Sequence, residues 1–332
     1  MLSLSNDAWL ETATGKRLSI REALLHAHEV GDLVGCSQIE TYSIYRFLTA
    51  VLQSSLAPTR LEKIHAIRSA GRFDRDEINV FCNNYPMSVA TFMQCPDLNG
   101  DPKSIGYLTP DIPTGSNSIF FTHRSQDEKK VYCERCIARG LLSVSAWQTI
   151  GGQGLTASIN GAPPLYVLPY APALFDALVM CLTPQTDHAG GVWGRSIENK
   201  EYENVPYLHA LTFMPRQVRV LWEHGQNICT RCGESCNVWA TEMIHKKGEK
   251  IVGNLWRDPF CAYAESKKGS NYALRVSDWS NDLTATVTRR MSEAKYPPAI
   301  TRQWPEQRTW RVFGAVTKDA KWVDEFTTIL TK

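Results

Sequence analysis

Two pairs of cysteines have the residue type and the spacing to bind a metal ion. They are Cys133-Glu-Arg-Cys136 and Cys229-Thr-Arg-Cys232. Each Cys-x-x-Cys turn can place two thiolates on one side of a metal ion, and two such turns complete the tetrahedral shell that zinc prefers. A shell of four cysteines leaves no position for water or substrate, so the sequence predicts a structural zinc site and not a catalytic one.

The spacing between the two pairs leaves alternatives open. The pairs lie farther apart in the sequence than in a usual zinc ribbon, and one pair alone could carry redox chemistry. A redox centre needs only one Cys-x-x-Cys, so the presence of two favours zinc. Cys236 is the substitute ligand if one of the four is wrongly assigned. Four other cysteines stand singly and are expected to be small buried hydrophobes: Cys36, Cys82, Cys95 and Cys181.

Three further segments have compositions that suit contact with a nucleic acid. Gly151-Gly152-Gln153-Gly154 has the glycine density that lets a backbone approach a ligand, although it matches neither the phosphate-binding nor the dinucleotide fingerprint. The run His245–Lys250 lies between two strand-like segments and could be a hairpin tip that presents lysines. Arginines and tryptophans interleave around Pro305-Glu306-Gln307. Each segment could equally be an ordinary solvated turn or strand.

Local patterns predict the helices and strands that must position these segments. Ser19-Ile-Arg-Glu22 is a capping box that opens a helix, and a second helix is predicted from Gln38 to Leu56, before Pro58. Residues 96–118 are expected to form a long surface segment. A further helix is predicted at 171–182, and strands are predicted at 165–168 and 218–222. The expected fold class is α+β, a mixed irregular globular fold with a four-cysteine zinc site.

Composition limits the classes of protein. Of the 332 residues, 43% are hydrophobic, which is enough for a substantial core in one large domain or two modest ones. The net charge is only +2, so any surface that binds nucleic acid must be local. No apolar stretch is long enough to cross a membrane, and the start of the chain lacks a secretory signal. These features predict a cytoplasmic protein.

Taken in order, several motifs resemble the CasA family, the large subunit of the type I-E CRISPR complex called Cascade. The resemblance covers nearly the whole chain, from Asn6 to about Phe313. Its motifs are Phe81-Cys-Asn-Asn, Phe92-Met-Gln94, the first cysteine pair followed by x-Ala-x-Gly-Leu-Leu, the glycine segment, Ser158 to Val167, the second cysteine pair, and Ile251 to Pro259.

The resemblance implies a non-catalytic subunit of a prokaryotic ribonucleoprotein complex for antiviral defence. Such a subunit recognises the protospacer-adjacent motif of double-stranded DNA through the minor groove and helps to initiate R-loop formation, while guide pairing reads the sequence. The implied partners are the CRISPR RNA, target duplex DNA, the 5′-handle-binding, backbone and small subunits, and an effector nuclease. That nuclease is either the helicase-nuclease or one fused to another subunit. No membrane partner is expected.

The resemblance also assigns roles to residues that would contact DNA. Gly152, Gln153 and Gly154 fall in the loop that approaches the motif, and Gln153 interrupts what is usually a run of glycines. Lys247 falls at the lysine that enters the minor groove, and Lys246 is the alternative. Because the minor-groove pattern is degenerate, one lysine there implies tolerant motif reading.

Three more roles follow from the resemblance. Gln307 falls on the wedge that props open the first base pair beyond the motif, and Phe121 falls on the aromatic that contacts the 5′ handle of the guide. The zinc site of the family matches Cys133, Cys136, Cys229 and Cys232.

The sequence departs from the family pattern after Phe313. The family carries a helical bundle there, so the expected organisation is a CasA-like globular domain over residues 1–315 and a short tail over 316–332 in place of the bundle. Two other classes stay open, a zinc-dependent enzyme that processes nucleic acid and a Cys-x-x-Cys redox or assembly scaffold. The sequence lacks the His-x-Glu and Pro-Cys-x-x-Cys signature of a zinc deaminase.

Overall fold

The computed structural model describes residues 1–111, 128–149, 155–253, 256–267, 269–277, 281–318 and 321–331. Its α-helices are α1 (Ile20–Leu25), α2 (Gln38–Ser55), α3 (Leu61–Ala70), α4 (Arg75–Asn84), α5 (Glu134–Trp147), α6 (Leu174–Cys181), α7 (Tyr207–Leu211), α8 (Leu283–Ser292) and α9 (Ala299–Gln303). Within these ranges no helix is both long enough and apolar enough to cross a membrane.

The strands of the described ranges are mostly short. They are β1 (Leu10–Thr12), β2 (Arg17–Leu18), β3 (Leu33–Val34), β4 (Lys103–Ser104), β5 (Tyr132–Cys133), β6 (Tyr166–Pro169), β7 (Glu201–Tyr202), β8 (Arg216–Ile228), β9 (Ser235–Lys247), β10 (Lys250–Ile251), β11 (Tyr263–Glu265), β12 (Asn271–Ala273), β13 (Thr309–Lys318) and β14 (Lys321–Thr331). The predicted mixture of helices and strands is confirmed.

Helix α2 is the central element of the core. Residues 39–53 are all buried, because α4, α5, α6, α7 and the C-terminal strands pack around it. The helix begins at Ser37, whose hydroxyl accepts from the amide of Glu40, and it ends before Pro58, as predicted. Tyr42 stacks on Tyr166 of β6 with ring centroids 4.2 Å apart. The capping box predicted at Ser19 and Glu22 is confirmed at the start of α1.

Two sheets carry the segments of functional interest. The long strands β8 and β9 form an antiparallel hairpin, and β4 and β5 pair with the other edge of β9. The second sheet has the order β14-β13-β6 and is antiparallel throughout. Smaller pairings join β2-β1-β3, β11 with β12, and β10 with β7.

The lysine run at 245–250 is not a hairpin tip, contrary to the prediction. The tip between β8 and β9 is formed by Cys229–Glu234, which contains the second cysteine pair. His245 to Lys247 end β9, and the chain then enters β10, which pairs in parallel with β7. Strand patterns on both sides of a turn do not show which strands pair, and here the strand after the turn has a distant partner.

The C-terminal segment, predicted as a short tail over residues 316–332, contains the strand β14. Residues 316–318 continue β13, and β14 pairs with β13 from Thr309 to Lys318. The ring of Phe326 in β14 is buried in the core. Residues 326–331, Phe-Thr-Thr-Ile-Leu-Thr, have a high strand propensity and would have indicated this strand.

The segment expected to lie on the surface at 96–118 is partly buried. Ile105 and Leu108 lie in a 3₁₀ turn that packs under α5. The packing is close, because a Cβ on Gly140 of α5 would stand 2.9 Å from the Cβ of Leu108. Residues 112–118 lie outside the described part of the chain.

Candidate metal centre and nucleic-acid surface

The four predicted cysteine ligands come together in the structure. The Sγ atoms of Cys133, Cys136, Cys229 and Cys232 all lie within 4.8 Å of one another, and three of the four residues are buried. Cys133 Sγ lies 3.8 Å from Cys232 Sγ, and Cys229 Sγ lies 3.6 Å from Cys136 Sγ. Each of these two contacts joins a sulfur of the first Cys-x-x-Cys turn to a sulfur of the second.

Each pair is held by a different local structure. Cys133 is the N-cap of α5, and Cys136 lies in the first turn of that helix. A helix N-terminus stabilises thiolates through its free amides and dipole. Cys229 and Cys232 lie in the turn between β8 and β9, where Gly233 has a φ of +79° that a side chain would strain. The amide of Gly233 donates to the carbonyl of Cys229 at 2.8 Å.

Main-chain bonds join the two turns. The amide of Thr230 donates to the carbonyl of Val131 at 2.7 Å, and the amide of Val131 donates to the Thr230 hydroxyl at 3.0 Å. The amide of Cys133 also points to Cys229 Sγ at 3.4 Å. These contacts fix the turns against each other without a metal–ligand bond, so the thiols are preorganised.

The geometry of the cluster fits a tetrahedral zinc ion. Zn–S bonds of about 2.3 Å imply sulfur–sulfur separations of about 3.8 Å along the edges of a tetrahedron. The two separations given above agree with that value. Hydrogen bonding from Cys133 lowers the pKa of Cys229 to about 6, and hydrogen bonds from Cys133 and Cys136 hold the pKa of Cys232 well below its usual range. The pKa values of Cys133 and Cys136 are raised in turn, so without a metal ion the four thiols share their protons unequally. Thiolates are the form that binds the metal.

A buried ion-pair network surrounds the cluster. Arg139 Nη2 lies 3.2 Å from Cys136 Sγ, and its Nε lies 3.2 Å from a carboxylate oxygen of Glu40. Arg231, inside the second cysteine pair, donates to the other oxygen of Glu40 at 2.8 Å. Burial raises the pKa of Glu40, but the charges of Arg231 and Arg139 outweigh it and lower the pKa. The network links the cysteine cluster to the first turn of α2.

The other cysteines that the sequence singled out have separate environments. Cys236 lies in β9 with its thiol toward the carbonyl of Asn227, outside the four-cysteine cluster. Cys82 and Cys181 are buried as predicted, and Cys95 is half-buried. Cys36 is exposed, so its prediction as a buried hydrophobe is wrong. It lies beside the charged network, where Arg139 Nη2 is 3.2 Å from its Sγ, and this polar neighbour accounts for its position.

The end of the β8–β9 hairpin opposite the cysteine turn carries cationic residues. Arg216, the first residue of β8, lies directly opposite Lys247, the last residue of β9. Directly opposed residues of an antiparallel pair share one face of the sheet. Lys246 is opposite Gln217 and lies on the other face, where its Cε would be 3.1 Å from a Cβ on Gly100. The structure therefore separates the two lysines that the sequence could not distinguish.

His245 shares the face of Lys247 and is held neutral there. Its ring packs edge-on against Tyr107, with centroids 5.4 Å apart. Burial lowers the pKa of His245 to about 4, and the charges of Arg216 and Lys103 act in the same direction. His245 is therefore uncharged at neutral pH beside the cations Arg216 and Lys103, and the charge of Lys247 reaches Glu201, whose pKa it helps to lower.

The two sides of the glycine segment are bonded to each other and to Arg216. The amide of Ser158 donates to the carbonyl of Gln148 at 2.8 Å. Arg216 Nη2 donates to the carbonyl of Thr149 at 2.9 Å, and its Nη1 donates to the carbonyl of Thr156. Arg216 thus bonds to residues on both sides of the glycine segment, and Lys247 is its partner across the hairpin. Gly152, Gln153 and Gly154 themselves lie outside the described residues, as does Phe121.

Gln307 lies apart from these residues, in the connection between α9 and β13. Its side-chain nitrogen donates to the carbonyls of Tyr170 at 2.8 Å and Thr309 at 2.6 Å. Its own carbonyl accepts from the indole of Trp310. Gln307 is therefore held by the main chain of its neighbours.

Two residues of these sites were missed by reasoning from the sequence. Arg139 and Arg216 are both buried, and each bonds to a segment that the sequence had singled out. The sequence alone does not show whether an arginine in a strand or helix is buried. For Arg139 the position three residues after Cys136, on the same face of α5, is a signal that could have been used.

Comparisons of the sequence with known proteins find matches among the CRISPR-associated proteins. The family model for the CRISPR-associated protein Cse1 matches residues 4–329. The chain is 29% identical, over 366 residues, to the CRISPR-associated protein CasA/Cse1 of Thermus thermophilus, covering 97% of this chain and 69% of that protein.

Solved structures show the same likeness. The structure of Thermus thermophilus CasA (Cse1) matches with a TM-score of 0.74 at 23% identity, over 99% of this chain and 73% of that one. A chain of a solved CRISPR RNA-guided surveillance complex matches with a TM-score of 0.74 at 15% identity, over 99% and 74% of the two chains.

The family model covers nearly the whole chain, so the chain is a CRISPR-associated protein. Within that class, the chain belongs to the Cse1 family, also called CasA.

Proposed function

We propose that this protein is the large subunit of a type I-E CRISPR RNA-guided surveillance complex. The observation that carries the proposal is the match of the Cse1 family model to residues 4–329. The CRISPR RNA and the other Cascade subunits are the proposed partners, since a chain of an RNA-guided surveillance complex has the same fold. The proposed location is the prokaryotic cytoplasm.

In this complex the subunit recognises the protospacer-adjacent motif in double-stranded DNA and helps to initiate the R-loop. Lys247 enters the minor groove, and Gly152, Gln153 and Gly154 approach the same base pairs. The support is the pairing of Lys247 with Arg216, whose guanidinium bonds to the carbonyls of Thr149 and Thr156 on the two sides of the glycine segment. The residue directly opposite Lys247 is a second cation, Arg216, and this local positive charge suits the phosphates that border a groove.

The four cysteines hold a structural zinc ion. Cys133, Cys136, Cys229 and Cys232 supply the ligands, and sulfur separations of 3.6 and 3.8 Å suit a tetrahedral shell. When bound, the ion joins the start of α5 to the tip of the β8–β9 hairpin and adds to the free energy of unfolding. Because four thiolates fill the shell, the ion has no position at which to activate water.

We therefore propose a binding role without catalysis for the subunit itself. Cleavage falls to an effector nuclease, either the helicase-nuclease or one fused to another subunit. Gln307 acts as the wedge at the first base pair beyond the motif, and Phe121 contacts the 5′ handle of the guide. These two assignments rest on the family resemblance.

Reconstitution of the complex with and without this chain tests the proposal. The complete complex should bind a duplex that carries both the motif and the guide-matched sequence, and should open it into an R-loop. Omission of the chain should abolish binding to the duplex while leaving pairing to a matched single strand. Permanganate footprinting of the displaced strand reports opening. Equal duplex binding with and without the chain would contradict the proposal, and hydrolysis of DNA by the purified chain would favour an enzyme.

A further inference from the structure

Two adjoining cavities lie beside strand β12. The first has a volume of about 560 Å³, and its walls include residues 155–162 together with Trp256, Tyr263 and Tyr272. The second, of about 610 Å³, adjoins the first, because Trp256 and Asn271 belong to the walls of both. Cavities of this size accommodate small molecules and single nucleotides. Three aromatic side chains therefore contribute to a space that a nucleobase could enter.

The charged side chains of the two cavities are cations. Lys250 and Arg275 line the first cavity and Arg257 lines the second, and none of the described lining residues is acidic. Lys250 pairs with Glu201 at 2.7 Å on the surface. Arg275 is exposed, and in the described part of the chain it forms no ion pair. Cations beside aromatic rings are typical of grooves that bind single-stranded nucleic acid.

One wall of the first cavity is held by a buried polar network. Asn160 Nδ2 donates to Asp258 Oδ2 at 3.0 Å and to the Tyr166 hydroxyl at 3.1 Å. Asn160 Oδ1 accepts from the Tyr263 hydroxyl at 3.0 Å. Asp258 is itself fully buried and pairs with Arg46 Nη1 at 2.7 Å. The network fixes the lining side chains of Asn160 and Tyr263 before a ligand binds.

The same bonds determine what this wall offers to a ligand. The Tyr263 hydroxyl also accepts from the amide of Asp258 at 2.8 Å, so it is engaged inside the protein, as is the amide of Asn160. The wall therefore offers a ring face and not a free donor. Stacking on a ring face tolerates any base, whereas reading a base requires hydrogen bonds to its edge.

Trp256 is held at the boundary between the two cavities. Its ring lies against Tyr207, with centroids 5.8 Å apart and an angle of 58° between the rings. It also packs on the buried cluster of Ile159, Ala210 and Phe213. An aromatic ring that is fixed between two cavities can stack against successive bases of one strand, at little cost in side-chain entropy.

We propose that the two cavities bind unpaired nucleotides of a single strand of nucleic acid, with bases on Trp256 and Tyr272 and phosphates near Lys250 and Arg275. Binding is tolerant of base sequence. The site goes beyond the proposed function, in which other residues of this chain contact duplex DNA and the 5′ handle. A displaced DNA strand and a guide RNA carry the same chemistry, so the experiment has an arm for each.

The decisive variant is Tyr272→Ala, because this side chain is 50% exposed and its removal leaves the core intact. The matched control is Tyr170→Ala, a tyrosine that is 55% exposed and lines neither cavity. Arg275→Gln removes one cation of the site, and its control is Arg289→Gln, another exposed arginine, on α8. The probes are fluorescein-labelled oligothymidylate DNA and oligouridylate RNA of about ten nucleotides, within the usual range of site sizes.

The readout is fluorescence anisotropy during titration with the full chain. Tyr272→Ala should weaken binding to a single strand about tenfold, the effect of losing one stacked base, and Tyr170→Ala should not. Arg275→Gln should reduce the slope of log affinity against log salt concentration by about 0.7, the value for one phosphate contact to a single strand. Arg289→Gln should leave that slope unchanged. The probe that loses more affinity in Tyr272→Ala, DNA or RNA, identifies the source of the strand.

A duplex separates base stacking from charge. Tyr272→Ala should not change binding to the oligothymidylate annealed to its complement, because paired bases are stacked inside the helix. An unchanged affinity for both single strands, or equal losses on single strand and duplex, would overturn the proposal. So would the absence of binding to either single strand up to about 100 µM, the weak limit of non-specific binding. A complex without motif preference would instead contradict the proposed function and leave these titrations unaffected, since they use this chain alone.

Discussion

Glu325 of β14 accepts a hydrogen bond of 2.8 Å from the backbone amide of Gln38, the first residue of α2. A second bond, from the amide of Ile39, reaches its other oxygen at 3.3 Å. The first amides of a helix have no partner within the helix, so a carboxylate from a distant strand adds to the local cap that Ser37 provides. The last strand of the described chain thereby holds the central helix at its first turn.

Glu325 predicts a pH dependence of stability. Burial raises its pKa to about 7, and the charge of Asp111 acts in the same direction. The pKa in the folded state exceeds the unfolded value of 4.5, so between these values the folded state binds more protons. The contribution of this group to the free energy of unfolding therefore falls as the pH rises from about 4.5 to about 7. Glu325→Gln should reduce that fall by up to about 3 kcal/mol.

Urea unfolding at pH 5 and pH 7.5 measures this effect. The difference between the two pH values should change in Glu325→Gln and stay the same in the control Glu293→Gln, whose exposed carboxylate pairs with Arg290 on α8. Other groups, including the cysteines, also titrate, so the comparison with wild type isolates Glu325. An identical difference in wild type and Glu325→Gln would show that this carboxyl does not control the pH dependence.

Loss of one cysteine ligand should remove the metal. In Cys133→Ser the zinc content should fall from about one ion per chain, and the melting temperature should fall with it, because metal binding and folding are coupled. Cys236→Ser is the control, since Cys236 lies outside the cluster. Elemental analysis of the purified chain gives the content. A wild-type chain with less than about 0.2 zinc per molecule would argue against the one-ion site expected for four thiolates.

Lys247 should contribute to the reading of the motif. Lys247→Ala should weaken binding to a motif-bearing duplex by about 1–3 kcal/mol, the usual value of one good base contact. The control is Lys246→Ala, which removes the same charge from the opposite face of β9. Binding curves with both duplexes distinguish the roles. An equal loss with and without the motif would mean that Lys247 contacts only phosphates.

Gln307→Ala should slow R-loop formation and leave motif binding nearly unchanged. Unstacking one base pair step costs about 1–2 kcal/mol, and a side chain that fills the vacated stack offsets part of that cost only during opening. To enter the duplex, the Gln307 amide must leave the carbonyls of Tyr170 and Thr309, at about 1 kcal/mol for each hydrogen bond. The net free energy that Gln307 contributes to opening is therefore smaller than that of a side chain with no hydrogen bonds to break.

Stopped-flow measurement of base unstacking tests this prediction in the assembled complex. A bubble opened beforehand at the first target positions should restore the wild-type rate in Gln307→Ala. Glu306→Ala is the neighbouring control, because the Glu306 side chain pairs with Arg68 on the surface. Wild-type opening by Gln307→Ala, or no rescue by the bubble, would leave Gln307 as an ordinary surface residue.

The sequence predicted best what depends on local spacing. The capping box at Ser19 and the end of α2 before Pro58 follow from short-range rules, and both are confirmed. The two cysteine turns were found for the same reason. That they meet depends on β5 and β9 lying side by side, with Cys133 opposite Trp239, and no local pattern shows such a pairing.

Long-range contacts account for what the sequence could not show. Lys246 and Lys247 are adjacent and chemically equal in the sequence, and only the register of β8 against β9 puts Lys247 on the side of Arg216. The burial of Arg216 depends on carbonyls from residues 149 and 156, which lie more than one element away along the chain. Residue type alone would place an arginine on the surface.

The first turn of α2 has a consequence for how the protein unfolds. Glu40 contacts the two arginines beside the cysteine cluster, while Gln38 and Ile39 contact Glu325 of the last strand. Three successive residues of α2 thus connect the four-cysteine cluster with the C-terminal hairpin. Cooperative units in proteins coincide with such contiguous packing. Melting of the C-terminal hairpin and release of the metal should therefore occur in one transition, so a chelator added to the folded protein would loosen a strand far from the cysteines in sequence.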